Sequence, residues 1–353
     1  MVVLYHASNK VFLAPKYWGD HVFGGFFDFG HAGVEFFFVL SGFIVAYIHA
    51  RDIGHPDRLG RYVRNRFVRV YPVYWIILVG FLALTTLGFS TSVTVTPSMI
   101  SSAFLLIGPE TQPTVLAVAW TLFHEIAFYA VFGVAIVMPR IGFAVVGVWL
   151  TGIAAAVAGR GFLPAYLGQP INLLFLLGVG SWWITTRWER SLPLAYAFIG
   201  AACILALGIE NVFNPVFSQT GRQLLFGTAS AMVIVALVAA ERRQAIKIPA
   251  ILSLLGAASY SMYLVHFPLL GMLARVHNVA FVRTLPIEVM FFALVTVAVL
   301  GGVAFHLWVE LPVLAFAKRP YHLPRLTSED PTIKLLVPEL QSPLLVMGTI
   351  STD

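Results

Sequence analysis

Nine apolar stretches, each close to the length that crosses a bilayer as a helix, constrain this chain more than any other feature. They run at about 33–50, 70–89, 115–138, 140–158, 170–186, 192–209, 224–240, 250–274 and 286–309. Spanning the hydrocarbon core takes roughly 20 apolar residues. Backbone in lipid must close its hydrogen bonds within the chain, which leaves helices or closed barrels. The reading is all-α: a polytopic membrane helix bundle of about nine full spans, preceded at Met1–His6 by the outer end of a first helix. The composition agrees, since 59% of residues are hydrophobic and 11% charged, against about 25% charged in soluble domains. The bundle, over 1–317, is the domain. A polar tail, 318–353, is expected to be a disordered cytoplasmic extension.

The basic residues sit between the apolar stretches. If the 51–69 segment is cytoplasmic, alternation leaves sixteen of the 22 Lys and Arg residues inside and six outside. That asymmetry orients the bundle, so the basic balance calls for no nucleic-acid partner. The lone Cys203 excludes an internal disulfide framework and a cysteine-based zinc site. The start, Met1–His6, is too short for a cleavable leader and lacks its basic residues. No internal repeat is evident, which weighs against transporters built on inverted repeats.

Ionisable groups inside such a chain are expensive in hydrocarbon and face protein, water or the interface. Glu35 opens the 33–50 stretch, and Ser41 and Gly42 follow within it. His6, before Ser8, Asn9 and Lys10, reads either as an interfacial histidine or as a general base, since imidazole titrates near neutrality. Arg61, Arg64, Arg66 and Arg69 read either as a positive-inside, lipid-holding anchor or as a grip for phosphates, which guanidinium forks suit. In Trp120–Tyr129, the residues Thr121, Glu125, Phe128 and Tyr129 share a helical face. Glu125 is then either interhelical glue or a functional carboxylate. His124 and Glu125 lack the spacing of a metal motif, and no metal is expected. Ser259, Tyr263 and His266 form a stripe at i, i+4, i+7, and Pro268 is expected to kink that helix. His306 and Glu310 read as an i, i+4 ion pair closed by Pro312.

Six stretches in this order resemble the acyltransferase-3 family of bacterial integral-membrane O-acyltransferases. They are Leu4-Tyr5-His6, Gly33–Phe43, Arg66–Pro72, Trp120–Tyr129, Ser259–His266 and Glu310–Pro312. The resemblance implies acyl transfer, usually of acetyl from acetyl-CoA, to a hydroxyl of a cell-envelope glycan or other small-molecule acceptor. It implies a multi-pass protein of the bacterial cytoplasmic (inner) membrane with no bound cofactor, acyl-CoA being a co-substrate. With only a short tail, the expectation is a stand-alone membrane domain. The family's first helix carries a basic residue eleven positions before the histidine matched by His6, and this sequence begins five residues before it. The expectation is a start assigned too far downstream, with a truncated, inactive version as the alternative.

On that resemblance His6 takes or relays the acceptor's proton, and Glu35 or Glu125 orients the imidazole. Arg64, Arg66 and Arg69 hold the CoA phosphates. Ser41 and Gly42 allow close helix approach and passage of the acyl chain. Trp120, Tyr129, Ser259, Tyr263 and His266 line the substrate cavity. A transporter or flippase of an envelope precursor, using the carboxylates as relays, and a non-catalytic membrane partner remain as other classes.

Overall fold

The computed structural model describes residues 1–87, 95–108, 114–187 and 193–318, and among them there are helices and turns but no strand. The tail beyond Lys318 lies outside the described residues. The chain opens with α1 (Val2–Tyr5), which continues as a π-helix over His6–Phe12. A 3-10 segment, Val22–His31, interrupted by left-handed backbone at Phe23, Gly24 and Gly25, leads into α2 (Ala32–His49). Among the described residues, seven helical segments are long and apolar enough to cross a membrane, or eight if one bent pair is a single span. The expected stretch at 170–186 is α7 (Leu173–Arg187), a shorter helix of 15 residues preceded by the 3-10 turn Pro170–Asn172.

Helix α3 (Leu59–Thr86) starts eleven residues before the apolar stretch expected at 70. The basic segment is therefore its first turns rather than a loop. Arginine is a good helix former, Pro56 sits in the 3-10 turn just before it, and Pro72 is tolerated inside the helix. Short helix α4 (Pro97–Leu105) begins with Thr96 accepting from the Met99 N–H at 3.3 Å. Its terminal carbonyls need partners in an apolar setting, and α3 supplies them. Tyr74 Oη, Trp75 Nε1 and Tyr71 Oη donate to the carbonyls of Ala103, Phe104 and Leu105, each at 2.9 Å.

Helices α5 (Trp120–Val137) and α6 (Pro139–Val157) form a hairpin turned at Met138. Helix α2 lies at the centre, packed on α7 and on α9 (Gln219–Arg242), and α8 (Ala195–Phe213) packs outside α9. The α2–α7 crossing is made by Gly42 and Gly178. A Cβ on Gly42 would overlap the Phe175 carbonyl, and one on Gly178 would overlap the Val39 carbonyl and Gly42 Cα. Small residues let membrane helices approach closely enough for backbone contact. Gly178→Val should therefore destabilise the folded protein by about 1–3 kcal/mol, read as a lowered unfolding midpoint in detergent. An unchanged midpoint would show that the crossing can relax.

The next span is bent by 65° between α10 (Ala250–Ala257) and the helix that begins with α11 (Ser259–Leu273). The break falls among Gly256, Ala257, Ala258 and Ser259, where small side chains do little to hold the axis straight. It does not fall at Pro268, which α11 carries inside its length. The last span is α12 (Ile287–Phe305), a second π-helix (His306–Glu310) and α13 (Leu311–Lys318). The core has two apolar clusters. The larger joins α2, α3, α5 and α7, and the smaller joins the first π-helix to α12. Helix α11 gives Tyr260 and Leu264 to the larger and Leu270 to the smaller. His266 falls between them in sequence.

Candidate active site

His6 begins the first π-helix, and π-helical segments recur at functional positions. Its Nδ1 lies 2.9 Å from His266 Nε2, joining the chain's start to α11. Neither Glu35 nor Glu125 is the partner of that nitrogen, in contrast to the sequence expectation. The proton positions follow from the acceptors. His266 Nδ1 lies 2.9 Å from the Met262 carbonyl, which can only accept. A neutral His266 therefore carries its proton on Nδ1 and offers Nε2 as an acceptor. His6 must then donate from Nδ1, which leaves the His6 Nε2 lone pair free to take a proton.

Around this pair the π-helix is pinned by Ser8, whose Oγ donates to Asp28 Oδ1 at 2.7 Å. On the α2 side, the Tyr5 ring meets His6 at 5.0 Å and stands edge-on to His31 at 5.9 Å. Asn211 Nδ2 lies 3.2 Å from His31 Nε2, so His31 Nδ1–H points to Glu35, 3.7 Å from its Oε1. Glu35 is thus at the level of His6 but separated from it by His31 and Tyr5. Its second oxygen, Oε2, is buried without a hydrogen-bond partner.

Helix α11 carries polar groups down its length at about 1.5 Å per residue. Below His266, Tyr263 Oη donates to the Val118 carbonyl at 2.7 Å and meets Thr121 Oγ1 at 2.8 Å. One turn further, Tyr260 Oη donates to the Val70 carbonyl at 2.8 Å, and Ser261 Oγ donates to Glu310 Oε2 at 2.6 Å. Glu310 is fully buried and also receives Arg69 Nη1 at 2.9 Å and His306 Nδ1 at 2.7 Å. Ser259, expected in the stripe, is exposed. The serine that enters the network is Ser261.

Glu125 occupies a separate cluster. Its Oε1 receives Ser41 Oγ at 3.1 Å and the Tyr129 hydroxyl. The Arg66 guanidinium lies 5.6 Å over the Tyr129 ring, and Arg69 lies 5.1 Å over Tyr260. Arg64 is exposed and donates to the Ala317 carbonyl at 3.3 Å. Gly42 is filled by the α7 backbone, so no acyl chain passes there. Trp120 is partly exposed beside His124, with ring centroids 5.6 Å apart. His124 itself turns to Asn172, whose amide ties the Tyr166, Leu167 and Gln169 carbonyls. Glu310, Ser261, Thr121, His31 and Asp28 stand in these networks beyond the residues singled out as catalytic or binding. The i, i+4 spacing of His306 and Glu310 announced an ion pair, whereas the Arg69 and Ser261 contacts cross between spans.

Residues 1–308 match the profile of the acyltransferase-3 family, described as an acyltransferase domain. The chain belongs to this family. Its acyltransferase-3 relatives include the exopolysaccharide production protein ExoZ of Rhizobium meliloti (strain 1021). That protein is 29% identical over 328 residues, covering 88% of this chain and 94% of the relative. Acyltransferase MdmB of Streptomyces mycarofaciens is 28% identical over 345 residues, covering 86% and 85%. No solved structure matches the chain. The protein is a multi-pass membrane acyltransferase. The acyltransferase-3 match takes in His6, Glu35, Glu125 and His266 and ends two residues before Glu310.

Proposed function

We propose that the enzyme transfers an acyl group, acetyl by family default, from acyl-CoA to a hydroxyl of a cell-envelope glycan or other small-molecule acceptor. The observation that carries the reading is the His6–His266 pair, which leaves His6 Nε2 as a proton acceptor. The acceptor O–H gives its proton to Nε2 as its oxygen attacks the thioester carbonyl carbon. The C–S bond then breaks, and the leaving thiolate recovers the proton from His6. The imidazolium formed between these steps is held by its Nδ1–H bond to His266, as the orienting partner does in histidine-based acyl transfer. Glu35, two side chains away, adds negative charge at the same level.

We assign the donor to the α3 end. Arg66 and Arg69 lie on aromatic faces there, and guanidinium groups suit phosphate oxygens. Glu125 then positions Tyr129 beneath Arg66 rather than charging His6. Acyl-CoA enters from the cytoplasm in this reading, which places the C-terminus on that side of the inner membrane and the acceptor at the His6 side. The relative named for exopolysaccharide production supports a glycan acceptor, and the relative named an acyltransferase supports the transfer itself. The test is mass spectrometry of envelope glycans and secreted metabolites with and without the intact gene. The expected result is an acyl-sized mass added to one hydroxylated product only when the gene is intact. Substrate movement in liposomes without acyl-CoA, with no acyl adduct formed, would overturn the reading.

A further inference from the structure

The end of α2 holds a buried imidazole that the transfer step does not use. His49 is 2% exposed, and its Nδ1 lies 2.8 Å from Asp52 Oδ2. The other carboxylate oxygen, Oδ1, receives Arg58 Nη1 at 2.9 Å and Arg61 Nη2 at 3.4 Å. A carboxylate so engaged only accepts, so His49 donates from Nδ1 and its Nε2 faces away from Asp52. That Nε2 is buried with no hydrogen-bond partner. The ring stands edge-on to Tyr62 at 4.9 Å, and Tyr62 Oη donates to the Tyr129 carbonyl at 2.9 Å. Arg66 follows Tyr62 by one turn on the same face of α3. Its guanidinium lies over Tyr129, and its Nε is also buried without a partner. Buried polar atoms are nearly always paired, and exceptions concentrate where a ligand or function accounts for them. Here two such atoms meet one aromatic pair, Tyr62 and Tyr129, where α2, α3 and α5 join.

We propose that His49 and Arg66 form a phosphate subsite for the acyl donor, each giving one N–H to phosphoryl oxygens. The proposal rests on the reading that the α3 arginines take the phosphates of acyl-CoA. Asp52 orients the imidazole from behind, and the incoming dianion favours a second proton on Nε2, as an adjacent negative charge does. Arg58 and Arg61 keep Asp52 in place and do not themselves reach the ligand. The bond that forms is charge-assisted, stronger than a neutral one and directional.

The two ring nitrogens can be separated. In His49→Asn the amide nitrogen falls near the Nδ1 position and keeps a donor for Asp52, while the Nε2 position is lost. In His49→Gln the amide reaches the Nε2 position. CoA binding to the purified full-length protein in neutral detergent should weaken about 10- to 100-fold in His49→Asn and less in His49→Gln. The ratio of kcat/KM for acyl-CoA to that for acyl-pantetheine, which lacks the nucleotide phosphates, should fall by the same factor. Equal losses with both donors would reduce His49 to a structural role and overturn the proposal. If Arg66→Ala weakens CoA binding and His49→Asn does not, the subsite fails while the donor reading stands. If neither substitution affects CoA binding, the donor reading fails with it. Phosphatidylglycerol added to the detergent tests the other source of phosphate. Loss of that lipid in His49→Asn with CoA binding intact would assign the atom to a headgroup and overturn the proposal.

Discussion

His6→Ala should lower acyl transfer by about 10²- to 10⁴-fold, the usual contribution of a positioned general base, while the protein still inserts and unfolds at its normal temperature. The side chain bonds to His266 and is only partly buried. Its loss therefore removes chemistry before it removes stability. The companion substitutions distinguish a base from a structural link. His266→Gln can present an amide oxygen to His6 Nδ1–H and should keep part of the activity. His266→Ala removes the acceptor that fixes the His6 tautomer and should approach the His6→Ala rate. Turnover in detergent, set beside a thermal unfolding midpoint, measures both quantities on the same preparation. A His6→Ala enzyme with near-normal turnover would remove the residue from the reaction.

Arg69→Ala should cost about 3 kcal/mol of stability, the low end for breaking a buried ion pair from one side. The change strands Glu310, which is fully buried, with Ser261 and His306 as its remaining partners. The low end applies because the Arg69 side chain is 42% exposed, so its charge was never fully desolvated. Replacing both partners by apolar residues, Arg69→Met with Glu310→Leu, should recover only part of that stability, since the stranded carboxylate is gone but Ser261 and His306 lose their acceptor. The recovered protein should still bind acyl-CoA poorly if Arg69 contacts the donor. Denaturation of the single and double variants in detergent, followed by CoA binding, separates the two roles. A single variant as stable as the parent would show that the pair contributes nothing to the fold.

Much of the bundle was legible because lipid leaves a chain few options. Apolar length located the helices, and the cost of intramembrane charge picked out Glu35, Glu125 and the histidines as groups needing explanation. What the pattern lacked was partnership. His6 and His266 are 260 positions apart, and nothing local says that α1 meets α11. Ser259 and Ser261 look alike in the sequence, yet only one faces Glu310, because the bend at Ala258 decides which side of α11 turns inward. Gly42 was readable as a place of close approach, but whether a helix or a ligand comes close depends on Gly178, far along the chain. Helix α3 starts well before the apolar stretch expected from 70, because charge ends an apolar run without ending a helix.

The first π-helix carries a consequence for comparing relatives. Its Leu13 N–H reaches back five residues to Ser8 at 3.0 Å, where an ordinary helix would reach four. One residue between His6 and Leu13 is thus surplus to the α register. Deleting any one of them would let the segment close into ordinary α-helix, leaving His6 facing nearly as it does now but without the widened turn beside it. Register here is written in residue number rather than residue type. A single-position gap opposite Ala7–Phe12 in an aligned homologue would signal an ordinary α turn there rather than a redirected histidine.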